Sequence, residues 1–302
     1  MVKQSRFYFS IATLLALSVA VVTARAEEST VDKTIKAFGA DQVKGYVQPV
    51  ADIFGANMGA GWYRSAEIPK MGFTIAVDIV GMGALVGDEQ KTYTSNAPAG
   101  YNPNTFKTAT IFGGKGDSVV DKNTGLSFRG SDGAINTSIV PLAALQVTIG
   151  SVYGTQLIVR GLPIPSISNS PKISYWGAGV RHSISQYLYD EEEPAVNLAI
   201  SANYSRISVG DLITITNFGV GPQISKKFSI AELYGGIGYE SSSMNIKYTP
   251  ANNGTPVDIT LDGVNKFRGT VGLALNLVIL HLHADANFGS ITNFSAGLGF
   301  GF

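Results

Sequence analysis

Apolar and polar residues alternate with a period of two along most of the chain after residue 59. The last segment shows this most clearly, because single Ser or Gly residues precede Ala296, Leu298, Phe300 and Phe302. A period of two is that of a β-strand whose faces meet different surroundings, so the pattern predicts an all-β protein. The segments predicted as strands are 60–67, 71–86, 105–112, 142–149, 153–161, 172–188, 196–205, 212–226, 231–240, 266–277, 280–288 and 295–302.

The predicted strands have the properties of strands that cross a membrane. Several are longer than ten residues, whereas strands of soluble proteins most often have about 5–6 residues and a membrane crossing needs about 9–11. One face is almost free of polar atoms, as lipid requires, and the other is rich in Gly, Ser and Asn, as a wet lumen tolerates. Aromatic residues near the strand ends suit the depth of lipid headgroups. They are Tyr175, Trp176, Tyr187, Tyr189, Tyr204, Tyr239, Tyr248, Phe267, Phe288 and Phe294.

We therefore predict a transmembrane antiparallel β-barrel over residues 58–302, closed because open sheet edges do not occur in hydrocarbon. The strand count is expected to be even, about 12 within a range of about 10–14. Residues 87–138, rich in Gly, Asn, Asp, Ser and Thr, are predicted to form a long loop. A soluble periplasmic β-protein is the alternative, and its release from cells without detergent would overturn the membrane prediction.

An amphipathic helical segment is predicted ahead of the barrel, over residues 27–57. Apolar residues within 30–54 recur at helical spacings, with Thr30 as a start and Gly55 as a stop. Its apolar face must be buried against something. The segment is therefore a candidate plug for the lumen.

Residues 1–26 have the pattern of a secretory signal peptide. Lys3 and Arg6 precede an apolar stretch, and Ala24–Ala26 supplies the small-residue cleavage pattern. An uncleaved membrane anchor is the alternative. Three of the 22 basic residues lie in this signal and none of the 22 acidic ones, so the mature chain is mildly acidic. We expect export to the bacterial outer membrane.

Composition excludes several classes of protein. The chain has no Cys, which rules out disulfide scaffolds, thiolate catalysis and thiolate metal sites. Its formal net charge is zero, so the chain lacks the excess of basic residues that is typical of nucleic-acid-binding proteins. Charged residues make up 15%, below the roughly one quarter that is usual in soluble domains.

The candidate site is a set of polar residues on the predicted lumen face. His281, His283 and Asp285 occupy alternate positions of one strand, which suits either a metal or proton-linked site or an ordinary polar lumen stripe. We favour the stripe, and expect no metal and no cofactor. Four further charged residues are predicted to face the lumen, where they pair across strands or select solutes: Glu232, Glu240, Lys266 and Arg268.

The sequence contains no recognisable catalytic pattern. The three His residues are not part of a G-x-S-x-G or H-E-x-x-H motif, and Ser183 points away from the neighbouring His182 on an alternating strand. Residues 113–118 lack the spacing of a phosphate-binding loop. We expect that the protein is not an enzyme.

The C-terminal strand resembles the assembly signal of bacterial outer-membrane barrels. Its terminal Phe302 follows Phe300 and Leu298 on the apolar face. The resemblance implies two partners, which are the barrel assembly machinery and outer-membrane lipid.

Longer stretches resemble an uncharacterised family of bacterial outer-membrane barrels, a domain of unknown function. The resembling stretches are 61–69, 150–160, 175–188, 267–282 and the C-terminal segment, which lie across most of the mature chain. This resemblance implies an outer-membrane barrel and no particular chemistry. The plan of a barrel with an N-terminal segment is also similar to transporters of hydrophobic compounds of the FadL type.

Two functional hypotheses follow. The first is a passive channel for small or hydrophobic solutes, plugged by residues 30–54. The second is a structural or binding barrel that carries no solute, which a lumen filled with charged and Tyr side chains would favour.

Overall fold

The computed structural model describes residues 28–162, 172–189, 194–248 and 257–301. The predicted signal peptide and Phe302 lie outside these ranges. The helices are α1 Glu28–Gly59, α2 Asp88–Lys91 and α3 Ser185–Leu188. The strands are β1 Met71–Leu85, β2 Thr92–Asn96, β3 Thr105–Ala109, β4 Ser118–Val120, β5 Ser127–Arg129, β6 Ile139–Val152, β7 Thr155–Leu162, β8 Ile173–Ser183, β9 Asn197–Val209, β10 Ile213–Phe228, β11 Ala231–Tyr248, β12 Val257–Asp262, β13 Phe267–Leu277, β14 Leu280–Phe288 and β15 Asn293–Gly301.

Ten of these strands close into an antiparallel barrel, as predicted. The order around the barrel is β1, β6, β7, β8, β9, β10, β11, β13, β14 and β15, and β15 pairs with β1. An extra strand, β12, pairs with the far end of β11. The barrel count lies at the lower limit of the predicted range, because β2–β3 and β4–β5 form separate two-stranded hairpins outside the barrel.

The predicted strand over residues 60–67 is wrong. Residues 60 and 61 form a turn in which Gly61 has a φ of 66°, residues 62–67 belong to no sheet, and Trp62 and Tyr63 are buried inside the barrel. Residues 60–63 are all buried, so the alternation in the sequence does not correspond to an inner and an outer face here. The helix α1 likewise continues past Gly55 to Gly59, and Gly55 lies so close to Ser242 that a side chain would not fit.

The strands have an apolar outer face and a polar inner face. In β15, Phe294, Leu298 and Phe300 are exposed outward, whereas the Asn, Ser and Gly residues between them are buried. Exposed aromatic rings contact each other across neighbouring strands, with centroids 5.6 Å apart for Trp176 and Tyr204. The prediction of Tyr175 as an interfacial residue is wrong: it is 4% exposed and faces inward, because adjacent strand residues face opposite ways.

The barrel has two different ends. At one end, called the turn end, two-residue turns connect β6 to β7, β10 to β11 and β13 to β14. At the other, called the loop-rich end, residues 86–138 connect β1 to β6 and carry both small hairpins. Barrels of outer membranes have short periplasmic turns and longer extracellular loops.

The N-terminal helix enters the barrel from the loop-rich end. Residues 49–63 are buried without interruption, and residues 60–67 continue through the lumen towards the turn end, where β1 begins. We call residues 50–67 the lumen segment. Within the described ranges, no α-helix combines the length and the hydropathy needed to cross a bilayer.

Candidate functional site: the occupied lumen

The half of the lumen near the loop-rich end is apolar. There Val50, Ile53, Phe54 and Met58 of α1 are buried within a ring of apolar wall side chains. The apolar wall residues are Val80, Met82, Val140, Leu142, Ile207, Val209, Ile215, Met244, Ile259 and Leu261. We call this half the upper lumen.

Wall side chains bind the backbone where α1 ends. A helix leaves its last carbonyl groups without helical partners. Asn293 of β15 donates from Nδ2 to the carbonyl oxygen of Ala56 at 2.9 Å, and Asn217 of β10 donates to that of Gly55 at 3.1 Å. The barrel wall therefore fixes the depth at which the helix stops.

Arg160 of β7 completes this contact, although it is only 1% exposed. Its Nη1 donates to the carbonyl oxygen of Ala60 at 2.8 Å and its Nη2 to that of Gly61. Its Nε donates to Gln146 at 2.7 Å, and its guanidinium carbon lies 3.9 Å from the centre of the Trp62 ring. A cation at a helix C-terminus and over an indole face is favourable in both respects.

Wall glycines make room for the aromatic rings of the lumen segment. A Cβ atom on Gly179 would lie 2.8 Å from the ring of Trp62, and one on Gly236 would lie 2.6 Å from the ring of Tyr63. The hydroxyl of Tyr63 donates to the carbonyl oxygen of Ile237 at 3.2 Å. The space beside these inner-face glycines is therefore filled by side chains of the lumen segment.

The part of the lumen from the end of α1, where Gly59 lies against Arg268 and Glu240, to the turn end is polar and charged, and we call it the lower lumen. Arg64 and Asp78 form an ion pair at 3.0 Å, and Arg268 and Glu240 form another at 3.1 Å. Further hydrogen bonds that involve charged side chains there include Ser65 Oγ to Glu232 at 2.6 Å, Tyr234 OH to Asp285 at 2.9 Å, Asn287 Nδ2 to Asp285 at 2.6 Å and Arg181 Nη2 to Gln156 at 2.8 Å.

Several buried polar atoms of the wall have no hydrogen-bond partner among the described residues. They include the Nε of Arg181, the Oδ1 of Asn203, the Oγ of Ser205 and both side-chain polar atoms of Gln223. Buried polar groups are normally hydrogen-bonded, either to protein or to ordered water. The lower lumen is therefore expected to hold water.

The predicted site residues lie in different surroundings. Five are buried in the wall: Glu232, Glu240, Arg268, His283 and Asp285. His281 is half-buried, and its Nδ1 lies 3.1 Å from the Oδ1 of Asn276. Lys266 does not line the enclosed lumen, because it is exposed and precedes the first residue of β13.

Other lumen residues are not among the predicted ones. Asp78, Arg160 and Arg181 are each buried and charged, and each interrupts an otherwise apolar or small-residue strand. A single charged residue within such a strand is the sequence feature that could have identified these three residues as lumen residues. Among the described residues, no three His, Asp or Glu side chains lie close enough together to hold a metal ion.

The mouth of the upper lumen is covered by residues 86–138. Ile111 N donates to the carbonyl oxygen of Tyr46 at 3.0 Å, and the Tyr46 hydroxyl donates to that of Asp132 at 3.1 Å. Burial raises the pKa of Tyr46 to about 12, so its hydroxyl stays protonated and can donate. Phe112 is buried among the same apolar side chains as α1.

A closed antiparallel barrel with an apolar outer face and a polar inner face is a transmembrane β-barrel of the outer-membrane type. The chain belongs to a family of unknown function, DUF6588, whose model matches residues 2–302.

Solved structures that resemble the chain are themselves distant from it. Ail, the attachment invasion locus protein of Yersinia pestis, is 10% identical with a TM-score of 0.32, over 77% of this chain and 99% of that one. The translocator domain of the autotransporter NalP from Neisseria meningitidis is 10% identical with a TM-score of 0.32, over 86% of this chain and 99% of that one. A loop-deletion mutant of OmpT, an outer membrane protein of Vibrio cholerae, is 13% identical with a TM-score of 0.26, over 70% and 62%. No curated protein matches the chain in sequence.

Proposed function

We propose that the protein is an outer-membrane channel for small polar solutes, closed at rest by its own lumen segment acting as a plug. The observation that carries the proposal is the set of hydrogen bonds between residues 55–67 and the wall. They reach seven of the ten barrel strands, namely β1, β6, β7, β8, β10, β11 and β15. A solute can therefore pass only when this segment moves.

The chemistry of the lower lumen supports polar solutes over hydrophobic ones. Its wall presents Arg181, Asn203, Gln223 and Glu232, and it contains two ion pairs. A hydrophobic solute would have to displace water from these groups without replacing their hydrogen bonds, which is costly. A polar solute can exchange hydrogen bonds with them.

The first test removes the plug. Deleting residues 30–67 should leave a barrel that conducts ions steadily in planar lipid bilayers, whereas the intact protein should be closed for most of the time. Folding of both proteins is checked by the shift in gel mobility that folded barrels show before heating. A deletion variant that folds but stays closed would contradict the plug.

The second test disturbs the plug without shortening the chain. Gly179→Ala should increase conductance, because its Cβ would lie 2.8 Å from the Trp62 ring. Gly269→Ala is the matched control, since nothing lies within 4 Å of its added Cβ. With Trp176→Phe in both variants, Trp62 is the remaining one of two Trp residues, and its quenching by iodide should rise only in Gly179→Ala.

A barrel that carries no solute is the second candidate, and the upper lumen favours it. Apolar packing of α1 against the wall is the arrangement of a permanent protein core rather than of a movable gate. Under this alternative, Gly179→Ala lowers stability but leaves the conductance unchanged.

We further propose that the protein has no enzymatic role and that its partners are outer-membrane lipid and the barrel assembly machinery. Leu298 and Phe300 of the last strand are exposed on the outer face, where both partners would meet them. His182 contacts two hydroxyl groups, of Thr155 at 2.8 Å and of Tyr187 at 3.0 Å, which supports a structural role for this ring.

A further inference from the structure

The chain from residue 42 of α1 to residue 70, just before β1, begins and ends at opposite ends of the barrel. Near its start, Gln42 donates from Nε2 to the carbonyl oxygen of Asn96 at 3.0 Å, and Gly45 lies against the ring of Tyr93. Both partners belong to the hairpin β2–β3 at the loop-rich end. At the other limit, the carbonyl oxygen of Lys70 accepts a hydrogen bond of 2.8 Å from Gly154 in the β6–β7 turn.

The contacts between these limits follow the same direction. Gln48 donates to the carbonyl oxygen of Asp262 near the loop-rich end, Arg160 binds the chain at Ala60, and Lys227 pairs with Glu67 close to the β10–β11 turn. The chain therefore traverses the lumen once, from the loop-rich end to the turn end, and β1 then leads it back through the wall.

The loop-rich end of an outer-membrane barrel faces the outside of the cell. The last strand ends at the turn end, because Gly301 donates to the carbonyl oxygen of Ile279 in the β13–β14 turn. Residues that precede the lumen segment must then lie on the outer side.

We infer that residues 28–46 are presented on the outer surface of the cell, threaded outward through the protein's own barrel. There residues 42–46 pack with residues 86–138 into a single extracellular head, through the Tyr46–Asp132 and Ile111–Tyr46 hydrogen bonds. Asp132 also accepts from Gly116 N at 2.8 Å and pairs with Arg129 at 2.8 Å, which ties the outer loop to the same point. The barrel thus serves as a membrane anchor for its own N-terminal helix.

This inference goes beyond the proposed channel, since it concerns the side on which the helix begins and not whether solutes pass. A barrel that never conducts would still present residues 28–46 outside. A barrel that conducts after deletion of its plug would do so whichever side the helix came from.

The absence of Cys allows a direct test with three single-Cys variants of the full chain. Lys44→Cys tests the helix, Asp211→Cys marks the loop-rich end and Ile279→Cys marks the turn end; all three positions are exposed. Intact cells are treated with a membrane-impermeant maleimide, and the labelling is normalised to that of the denatured protein.

We expect Lys44→Cys to be labelled in intact cells to the same extent as Asp211→Cys. Ile279→Cys should be labelled only after the outer membrane is permeabilised. Protection of Lys44→Cys together with Ile279→Cys would overturn the inference, because the helix would then begin in the periplasm. Protection of Asp211→Cys with labelling of Ile279→Cys would overturn it equally, because the barrel would be inverted. The gel-mobility shift confirms that each variant is folded.

Discussion

The upper and the lower lumen hold the N-terminal chain by different physical interactions. In the upper lumen, α1 is held by apolar side chains, and its Phe54 is 3% exposed. In the lower lumen, an extended chain is held by ion pairs and hydrogen bonds such as Arg64–Asp78 and Ser65–Glu232. Apolar packing is lost as a whole when the helix leaves, whereas hydrogen bonds can be exchanged one at a time with water.

The difference assigns different roles to the two halves. The upper lumen supplies a stable position for the helix, because the free energy gained by burying apolar side chains does not depend on how those side chains are oriented. The lower lumen sets the register of the chain, since each wall group binds one particular atom of residues 60–67. A plug that moves would therefore be expected to rearrange first in the lower lumen.

The largest expected effect is in the upper lumen. Phe54→Ala should reduce the free energy of unfolding by about 3–5 kcal/mol, because it leaves a cavity between α1 and the wall. Denaturant unfolding in lipid vesicles, followed by Trp fluorescence, measures the change. Val120→Ala on the outer loop is the control, since that side chain is 53% exposed. An effect of Phe54→Ala no larger than that of the control would show that the upper lumen is not a packed core.

A smaller effect is expected from breaking an ion pair in the lower lumen. Arg268→Met removes the partner of Glu240 at 3.1 Å. In a dry interior, an unpaired charge costs about 3–5 kcal/mol. Since water is expected in the lower lumen, we predict a loss of about 1–3 kcal/mol, the range for an unsatisfied buried group.

A second substitution separates the dry from the wet case. Glu240→Gln in the Arg268→Met background removes the unpaired charge and should restore part of the lost stability in the same unfolding measurement. A loss as large as that of Phe54→Ala, with full recovery in the double variant, would show that the lower lumen is as dry as the upper one.

The sequence alone predicts the outer face of the barrel better than its inner face. The outer face follows from alternation, because lipid accepts only apolar side chains at every second position, as at Phe294, Leu298 and Phe300. The inner face is less predictable, since it accepts Gly, Ser and charged residues alike. Gly179 has no signal of its own: its role is defined by Trp62, which is more than 100 positions away in the chain.

The errors in prediction have the same origin. Residues 60–67 alternate like a strand in sequence, but the adjacent Trp62 and Tyr63 are both buried in the lumen, and the pattern alone does not distinguish a segment inside the barrel from a strand of its wall. Lys266 has the spacing of a lumen residue, but the strand begins after it and it remains exposed. Contacts between residues that are far apart in the sequence determine where residues 60–67 and Lys266 lie. The pattern of apolar and polar residues in a single sequence does not predict such contacts.

The smallest effect is expected where the lower lumen opens to water at the turn end. Lys227 and Glu67 pair at 3.2 Å, but both side chains are more than 40% exposed. Lys227→Ala should change the free energy of unfolding by less than about 1 kcal/mol, because solvent screens an exposed pair and ordering two long side chains opposes it. The same unfolding experiment, repeated in high salt, measures it: the difference between wild type and Lys227→Ala should shrink further. A loss that approaches that of Arg268→Met and resists salt would mean that the lumen segment is held at this end as firmly as in the buried part of the lower lumen. The expectation that a moving plug rearranges first in the lower lumen would then be wrong.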